Sequence, residues 1–317
     1  MPRAAVRRVR PHPFADDCAA RRGGLPRASK PVGSFVSAPA APTAGPSGRC
    51  SIDAEEAPAR AFRTGIAIMI GYYVINLARS VERYRSFAAL AADAGLAVER
   101  VDAVDGKVAT QDGWDGLDLD RFRRFNGREP LPGEYGCYFS HIKAMRTFLD
   151  SGYSSAVIME DDAEPHARVG SFASALDDRF SAQRLLVRLT SHRLQLFEAF
   201  DRPLDGGPRV GQCWLGPTGS GSAYWLTRSA AATLVERMVP VYCPFDVMQE
   251  RSWATGVRFC QVKPNLMPVP RPPDSTIAAP GPTYAVKYPP YRRLPTYWTR
   301  TAQFFQRLAA CARTRGI

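Results

Sequence analysis

Residues 70–77 read Ile-Gly-Tyr-Tyr-Val-Ile-Asn-Leu, an apolar run with the length of one β-strand. A short, uninterrupted apolar run of this kind predicts a buried strand. A helix is predicted directly after it, from about Ser80 to Ala94, because apolar residues recur there at helical spacing and Gly95 ends the pattern. A strand followed at once by a helix is typical of an α/β fold.

The same alternation continues along the chain. A second strand is predicted at 98–101, and residues 111–133 are polar and predicted to form a loop. A long helix follows from about Glu134 to Asp150, ended by Gly152. Further strands are predicted at 156–159, 185–189, 222–226 and 259–262, with a helix at 229–238. The pattern predicts an α/β fold with a mostly parallel central sheet flanked by helices.

Both ends of the chain differ from the middle in composition. The 317 residues carry a net charge of +12, of which residues 1–68 hold +6 and residues 271–317 hold +7. Residues 1–68 are rich in Arg, Ala and Pro and poor in large apolar residues, so we predict a disordered extension. Residues 69–270 are predicted to form the folded domain, and residues 271–317 a basic, aromatic C-terminal tail.

The cysteines and the C-terminal tail indicate where in the cell the protein is expected. None of the seven cysteines forms a C-x-x-C pair, and their number is odd, which favours a reducing, cytoplasmic compartment. No apolar run approaches the roughly 20 residues that span a bilayer. Aromatic residues and arginines are mixed over residues 297–308, so a short helix there is predicted either to contact an anionic membrane peripherally or to pack on the domain.

Three carboxylates follow a predicted buried strand in the stretch Val157-Ile158-Met159-Glu160-Asp161-Asp162. The carboxyl ends of strands are where open α/β sheets bind ligands. Clustered carboxylates suit a hard cation such as Mn²⁺ or Mg²⁺, which can in turn hold a diphosphate. An acidic surface loop is the alternative, and a metal–diphosphate site would also fit nucleotidyltransferases and phosphohydrolases.

A second motif, Gly133-Glu134-Tyr135-Gly136-Cys137-Tyr138-Phe139-Ser140-His141, opens the long helix. Glu134, Tyr138 and His141 are predicted to share a helix face, where the Glu and the His could bind substrate. The alternative is a core histidine and a first-turn glutamate that favours the helix dipole. Small residues at 219–223 would allow close approach of a ligand, and Asp246 stands in an otherwise apolar stretch after Pro244 and Phe245.

The order of these motifs carries more information than any one of them. The chain has, in sequence, Tyr73-Val74-Ile75-Asn76-Leu77 with Arg83, Asp102-Ala103-Val104-Asp105-Gly106, the Gly133–His141 motif, Glu160-Asp161-Asp162, Gly221-x-Ala223-Tyr224 and Pro244-x-Asp246. This order resembles glycosyltransferase family 25, which includes bacterial lipooligosaccharide galactosyltransferases and collagen galactosyltransferases. The resemblance covers roughly residues 72–250.

The resemblance implies a GT-A-like nucleotide-sugar-binding fold, a UDP-hexose donor such as UDP-galactose, and transfer with inversion to a glycan or lipid-linked glycan acceptor, as in lipopolysaccharide biosynthesis. It implies a Mn²⁺ or Mg²⁺ ion held by Asp162, with Glu160 as a further ligand. The implied donor-binding residues are Tyr73 and Asn76 beside the uridine, Arg83, Glu160 and Asp161.

Inverting transfer also needs a base that removes the proton from the acceptor hydroxyl. Asp246, Glu134 and His141 are the candidates, and Asp246 is favoured because an apolar neighbourhood would raise its pKa toward a useful range. Two other functions are weighed. A nucleotidyltransferase would use a similar metal site, and a basic nucleic-acid-binding protein would explain the net charge. The charge avoids the predicted domain, however, so nucleic acid is not expected as a partner.

Overall fold

The computed structural model describes residues 70–108, 113–200, 202–269 and 286–314. The predicted disordered extension, residues 1–68, lies outside the described residues. The strands are β1 (Ile70–Asn76), β2 (Val98–Asp102), β3 (Ser155–Glu160), β4 (Leu185–Arg188), β5 (Phe197–Ala199), β6 (Arg209–Cys213), β7 (Ala223–Thr227) and β8 (Arg258–Lys263). The helices are α1 (Val81–Asp93), α2 (Leu119–Asn126), α3 (Pro132–Asp150), α4 (Arg168–Phe180), α5 (Arg228–Arg237), α6 (Phe245–Gln249), α7 (Ser252–Thr255) and α8 (Leu294–Arg313).

The strands form one sheet in the order β2-β1-β3-β7-β4-β8-β6-β5. β1 is parallel to β2 and β3, and β4 is parallel to β8. β7 runs antiparallel to both β3 and β4, and β6 runs antiparallel to both β8 and β5. Within the described part, six strands therefore share one direction and β6 and β7 oppose it. The predicted α/β class with a mostly parallel sheet is confirmed, and the arrangement agrees with a GT-A-like fold.

The sheet separates two hydrophobic cores, because successive side chains of a strand point to opposite faces. On one face, Tyr73 of β1 and Ile158 of β3 pack with α3 and α5. On the other, Val74 and Val157 pack with α1 and α4. Because both faces of the central strands are covered, these strands read as continuous apolar runs.

Four helices were not predicted, namely α2, α4 and the short α6 and α7. Residues 111–133 were expected to form a loop, but α2 lies within them, and this prediction is wrong. Asp118 caps α2 by accepting a hydrogen bond from Arg121 N at 3.0 Å, and Gly127 ends the helix with a φ of 66°. α2 was missed because it is highly charged and buries only Phe122. α4 was also missed, although its buried residues recur at helical spacing.

The C-terminal helix α8 packs on the same unit as the sheet. Thr296 donates a hydrogen bond to Arg124 O at 2.9 Å, and Gln212 donates one to Cys311 O at 3.0 Å. The predicted tail 271–317 thus contains a helix that rests on the domain, while the predicted boundary at residue 270 falls outside the described residues. No helix in the described part of the chain is long and apolar enough to cross a membrane.

Candidate active site

A cleft of about 650 Å³ opens at the carboxyl ends of β1, β2 and β3. Its walls come from the loops after these strands and from the first turns of α3. All three carboxylates of the acidic run line it, together with Arg83 and His141. The cleft therefore brings together five of the residues that were predicted for the site, at the position where open α/β sheets bind ligands.

The backbone fixes the acidic run at the end of β3. Glu160 N donates a hydrogen bond to Ser222 O at 2.7 Å, and Asp161 N donates one to Ile75 O at 3.1 Å. Both neighbouring strands thus hold the segment at the point where it leaves the sheet. The positions of the Glu160, Asp161 and Asp162 side chains are therefore set by the edge of the sheet.

Asp161 is engaged by neighbouring protein groups. Asn76, which is buried at the end of β1, donates a hydrogen bond to Asp161 Oδ2 at 2.6 Å. The Arg83 guanidinium forms an ion pair with Asp161 and lies 3.3 Å from Asp162 Oδ2. Burial raises the pKa of Asp161, while the Asn76 hydrogen bond and Arg83 oppose the shift.

Asp162 is less completely satisfied. Burial first, and then the neighbouring Glu160 carboxylate, raises the pKa of Asp162 to about 7. Asp162 Oδ1 is buried without a hydrogen-bond partner among the described residues. A buried carboxylate oxygen without a donor calls for a proton or a cation. This oxygen could bind a hard cation that enters the cleft, and the Glu160 carboxylate lines the same cleft.

His141 lines the cleft and contacts two aromatic residues, Tyr224 and Phe245, that do not line it. Its Nδ1 lies 3.0 Å from Tyr224 Oη, and its Nε2 lies 3.2 Å from Glu160 Oε1. The imidazole stacks on Phe245 with ring centroids 3.8 Å apart and planes at 4°. Cys137 Sγ lies 4.0 Å from the same Glu160 oxygen, and burial raises the pKa of its thiol well above the ordinary value. His141 thus orients Glu160 within a rigid cluster.

Glycines in the Gly133–His141 motif let α3 approach the loop after β2. A Cβ on Gly136 would lie 2.5 Å from Val104 O, and one on Gly106 would lie 1.9 Å from Pro132 O. Ser140 Oγ accepts a hydrogen bond from Val104 N at 2.8 Å. The motif therefore builds one wall of the cleft through backbone contact.

Four predicted site residues do not line the cleft, namely Tyr73, Asn76, Glu134 and Asp246. Tyr73 is fully buried and packs against Phe148, with ring centroids 6.2 Å apart, so it lies in the hydrophobic core. It lies in the middle of β1, on the face covered by α3. Glu134 accepts from Leu131 N at 3.0 Å and pairs with both terminal nitrogens of Arg128 at 2.7 and 2.5 Å. These bonds commit Glu134 to capping α3, so the catalytic role predicted for it is not supported.

Asp246 stands at the start of α6, next to the Phe245 ring that stacks on His141. Its side chain accepts a hydrogen bond from Val247 N at 2.9 Å, and it does not line the cleft. Burial raises the pKa of the Asp246 carboxyl, and Arg188 opposes the shift. Arg188 also fixes the segment by donating a hydrogen bond to Asp246 O at 2.7 Å.

Sequence reasoning missed three charged residues of the cleft wall. Arg79 forms an ion pair with Asp105, and Lys107 lines the cleft beside them. All three lie in the loops that follow β1 and β2, and that position is the signal by which they could have been found.

Comparison with known proteins finds both a family model and a curated protein that are similar to part of the chain. Residues 69–202 match the model of glycosyltransferase family 25, described as an LPS biosynthesis protein. The chain is also similar to procollagen galactosyltransferase 1 of Danio rerio, with 25% identity over 145 residues. That match covers 44% of this chain and 23% of the relative, so the chain spans about a quarter of that protein's length. The family match includes the cleft carboxylates and His141, whereas Asp246 lies beyond it.

Proposed function

We propose that the chain is a family 25 glycosyltransferase, whose family model matches residues 69–202, and that it transfers a hexose from a UDP-sugar to a glycan acceptor with inversion. The observation that carries the proposal is the cleft itself. Its carboxylates and arginines converge at the carboxyl ends of three parallel strands, and the buried Asp162 oxygen has no donor among the described residues. Galactose is the proposed sugar because the similar zebrafish protein is named a galactosyltransferase.

The charges of the cleft suit a nucleoside diphosphate. Arg79, Arg83 and Lys107 line the cavity together with the acidic run, and Arg83 pairs with Asp161. Cations placed beside the leaving group stabilise the negative charge that develops there as the glycosidic bond breaks. We assign Asn76 to orienting Asp161, because its amide donates to that carboxylate at 2.6 Å.

We propose that the cleft binds Mn²⁺ or Mg²⁺ through Asp162 and Glu160. Such an ion would neutralise the diphosphate leaving group. Asp161 is a weaker candidate for a ligand, because its oxygens are already engaged by Asn76 and Arg83. The Arg83 guanidinium holds Asp161 and Asp162 side by side, and His141 holds Glu160 at 3.2 Å, so the ligands are oriented before any ion arrives.

Asp246 is the proposed base, which takes the proton from the acceptor hydroxyl as its oxygen attacks the sugar. Burial raises its pKa, and a base whose pKa is closer to the working pH transfers protons more effectively. Of the alternatives, Glu134 is committed to Arg128, and both ring nitrogens of His141 already have partners. His141 is therefore a positioning residue in this proposal.

The decisive experiment measures nucleotide release from a panel of sugar nucleotides, with and without Mn²⁺, using the full chain. We expect UDP release from a UDP-hexose that needs the metal and is lost in excess chelator. Asp162→Asn should lose most activity, whereas Asp178→Asn, an exposed aspartate on α4, should keep it. A parallel assay with UTP and a sugar phosphate tests the alternative: pyrophosphate release there, with no UDP release from sugar nucleotides, would identify a nucleotidyltransferase. Full activity in chelator would refute the metal site.

We further propose that the enzyme works in the cytoplasm, at the inner face of the membrane, on a lipid-linked glycan as in lipopolysaccharide assembly. α8 exposes aromatic side chains at helical spacing, including Trp298 at 78% and Phe305 at 62%. Arg292, Arg293 and Arg300 lie near them in the sequence, and such a mixture of aromatic and basic residues is typical of membrane-interface helices.

Vesicle sedimentation at low salt tests the membrane contact. The protein should bind vesicles that contain phosphatidylglycerol, and Trp298→Ser together with Phe305→Ser should weaken binding. Equal binding of the wild type and this double variant would show that the exposed aromatic face has no such role.

A further inference from the structure

A second cavity, of about 970 Å³, lies between α8, the end of α2 and the Gly216-Pro217 turn. Three arginines line it, Arg251, Arg300 and Arg307, and Gln303 adds a side-chain amide. No Asp or Glu lines this cavity among the described residues. Its lining shares no residue with the cleft, so it is a separate site with a strong excess of positive charge.

Arg251 is the central feature of this cavity. It is only 7% exposed, yet its Nε and Nη1 have no hydrogen-bond partner among the described residues. Its guanidinium lies over the Phe125 ring at 4.8 Å and over the Tyr242 ring at 5.4 Å, so its apolar faces are covered while these N–H groups lack acceptors. Buried polar groups are nearly always paired, and an unpaired charged donor is costly.

The neighbouring groups do not cancel this charge. Glu250 accepts from Arg307 at 2.7 Å, but the same carboxylate also neutralises the buried Arg188. Asp246 precedes the lining residue Val247, and its carboxylate bonds to Val247 N. Neither Arg251 nor Arg300 forms an ion pair within the described ranges. Gln303 Nε2 is a second buried donor without a partner there.

We propose that this cavity binds an oxyanion, a phosphate or a carboxylate, carried by a molecule that also contacts Phe125 and Phe304. Guanidinium groups match the geometry of such oxyanions and bind them through charge-assisted hydrogen bonds. The two rings line the same cavity and offer an apolar surface to the rest of the ligand. The inference stands on this cavity alone and does not require the function proposed for the cleft.

The oxyanion could belong to a soluble phosphate ester or to an anionic lipid headgroup. Phe304 is 43% exposed and lies at the mouth of the cavity, on the helix that also exposes Trp298 and Phe305. A headgroup could thus reach the arginines while its chains meet the aromatic face of α8. The chemistry of recognition is the same for both sources, and the experiment below separates them.

Calorimetric titration of the full chain with phenyl phosphate at low salt tests the proposal. We expect saturable binding that Arg300→Gln and Gln303→Leu each weaken about 10- to 150-fold, the range expected for one hydrogen bond to an anion. Arg313→Gln is the matched control, because Arg313 is exposed on the same helix and does not line the cavity. Arg251→Met should abolish binding, and if it does not fold, the Arg300 and Gln303 variants decide.

Two further comparisons identify the molecule that carries the oxyanion and the cavity that binds it. If the ligand is a lipid headgroup, Arg300→Gln should weaken binding to phosphatidylglycerol vesicles more than Arg313→Gln does. If it is a soluble ester, the two variants should bind vesicles equally, while only Arg300→Gln loses phenyl phosphate. The proposal is wrong if phenyl phosphate does not bind, if both variants bind it alike, or if Arg83→Gln alone removes binding and so places the anion in the cleft.

Discussion

Replacing Glu250 with glutamine removes the one negative charge of a fully buried network. Glu250 Oε1 accepts from Arg188 Nη1 at 2.7 Å, from Thr218 N at 2.9 Å and from Thr218 Oγ1 at 2.7 Å. Glu250 Oε2 accepts from Arg307 Nη2 at 2.7 Å. In a glutamine at this position one of the two oxygens becomes an NH₂ group, which would face donors. The substitution keeps the volume and removes the charge together with at least one hydrogen bond.

The expected cost follows from burial. The side chains of both Glu250 and Arg188 are 0% exposed, so the variant leaves Arg188 as a buried cation without its counter-ion. Removing one partner of a buried ion pair typically costs about 3–5 kcal/mol of unfolding free energy. For a domain of this size, about 2–4 °C of melting temperature corresponds to each kcal/mol, so Tm should fall by about 6–20 °C.

The loss should also depend on pH. Arg188 and Arg307 lower the pKa of Glu250 against the opposing effect of burial, so the folded state holds this carboxylate ionised more strongly than the unfolded state does. The stabilisation is therefore complete above the unfolded pKa of about 4.3 and is lost as pH falls through the lower folded pKa. The difference in Tm between the wild type and Glu250→Gln should be constant near pH 7 and shrink in acid.

Calorimetry or circular dichroism melts at several pH values provide the measurement. The matched control is Glu82→Gln, which breaks an exposed pair with Arg85 and should cost less than about 0.5 kcal/mol. If Glu250→Gln melts within 2 °C of the wild type at pH 7, the network does not stabilise the fold as argued. A difference that grows in acid would contradict the direction of the pKa shift.

Two further predictions concern residues considered for catalysis. Glu134→Gln should lower the unfolding free energy by about 1–2 kcal/mol through loss of the α3 cap and the Arg128 pair, while kcat at a permissive temperature changes less than threefold; a loss of activity in a stably folded variant would instead make Glu134 the base. Asp246→Asn should reduce kcat by roughly 10²–10⁴-fold with little change in donor binding, as measured by UDP titration, and near-normal turnover would exclude Asp246 as the base.

The sequence predicted the parts of the fold whose signal is local. β1, α1, α3, β3 and β7 lie within a few residues of their predicted ranges, because each combines a strong apolar pattern with clear ends. α2 could not be predicted in this way, since its stability comes from the burial of Phe122 and from capping by Asp118. β5 and β6 are short strands. β5 pairs with β6, and β6 pairs with β8, so both depend on contacts between distant residues that the local sequence does not encode.

The site was predictable in outline and not in detail. A run of carboxylates after a buried strand had to lie at the ligand-binding edge of the sheet, and it does. The sequence did not predict that Asp161 is more completely paired than Asp162. This difference depends on Asn76 and Arg83, which come from β1 and α1. Tyr73 lies in the middle of β1 and is buried beneath α3, and the sequence does not show how far along a strand the cleft begins.

The Gly133–His141 motif shows how one helix can serve several purposes at once. Five of its residues line the cleft, at spacings of three, one, three and one that place them along one side of a helix: Gly133, Gly136, Cys137, Ser140 and His141. Most of these residues are small, so the backbone of α3 can touch the loop after β2, as the 2.8 Å bond between Ser140 and Val104 shows. Only His141 carries a large side chain, and it reaches Glu160. Glu134, the most conspicuous charge of the motif, points to Arg128 and caps the helix. The motif therefore sets the distance between α3 and the loop after β2. This distance leaves the carboxylates of Glu160, Asp161 and Asp162 accessible in the cleft.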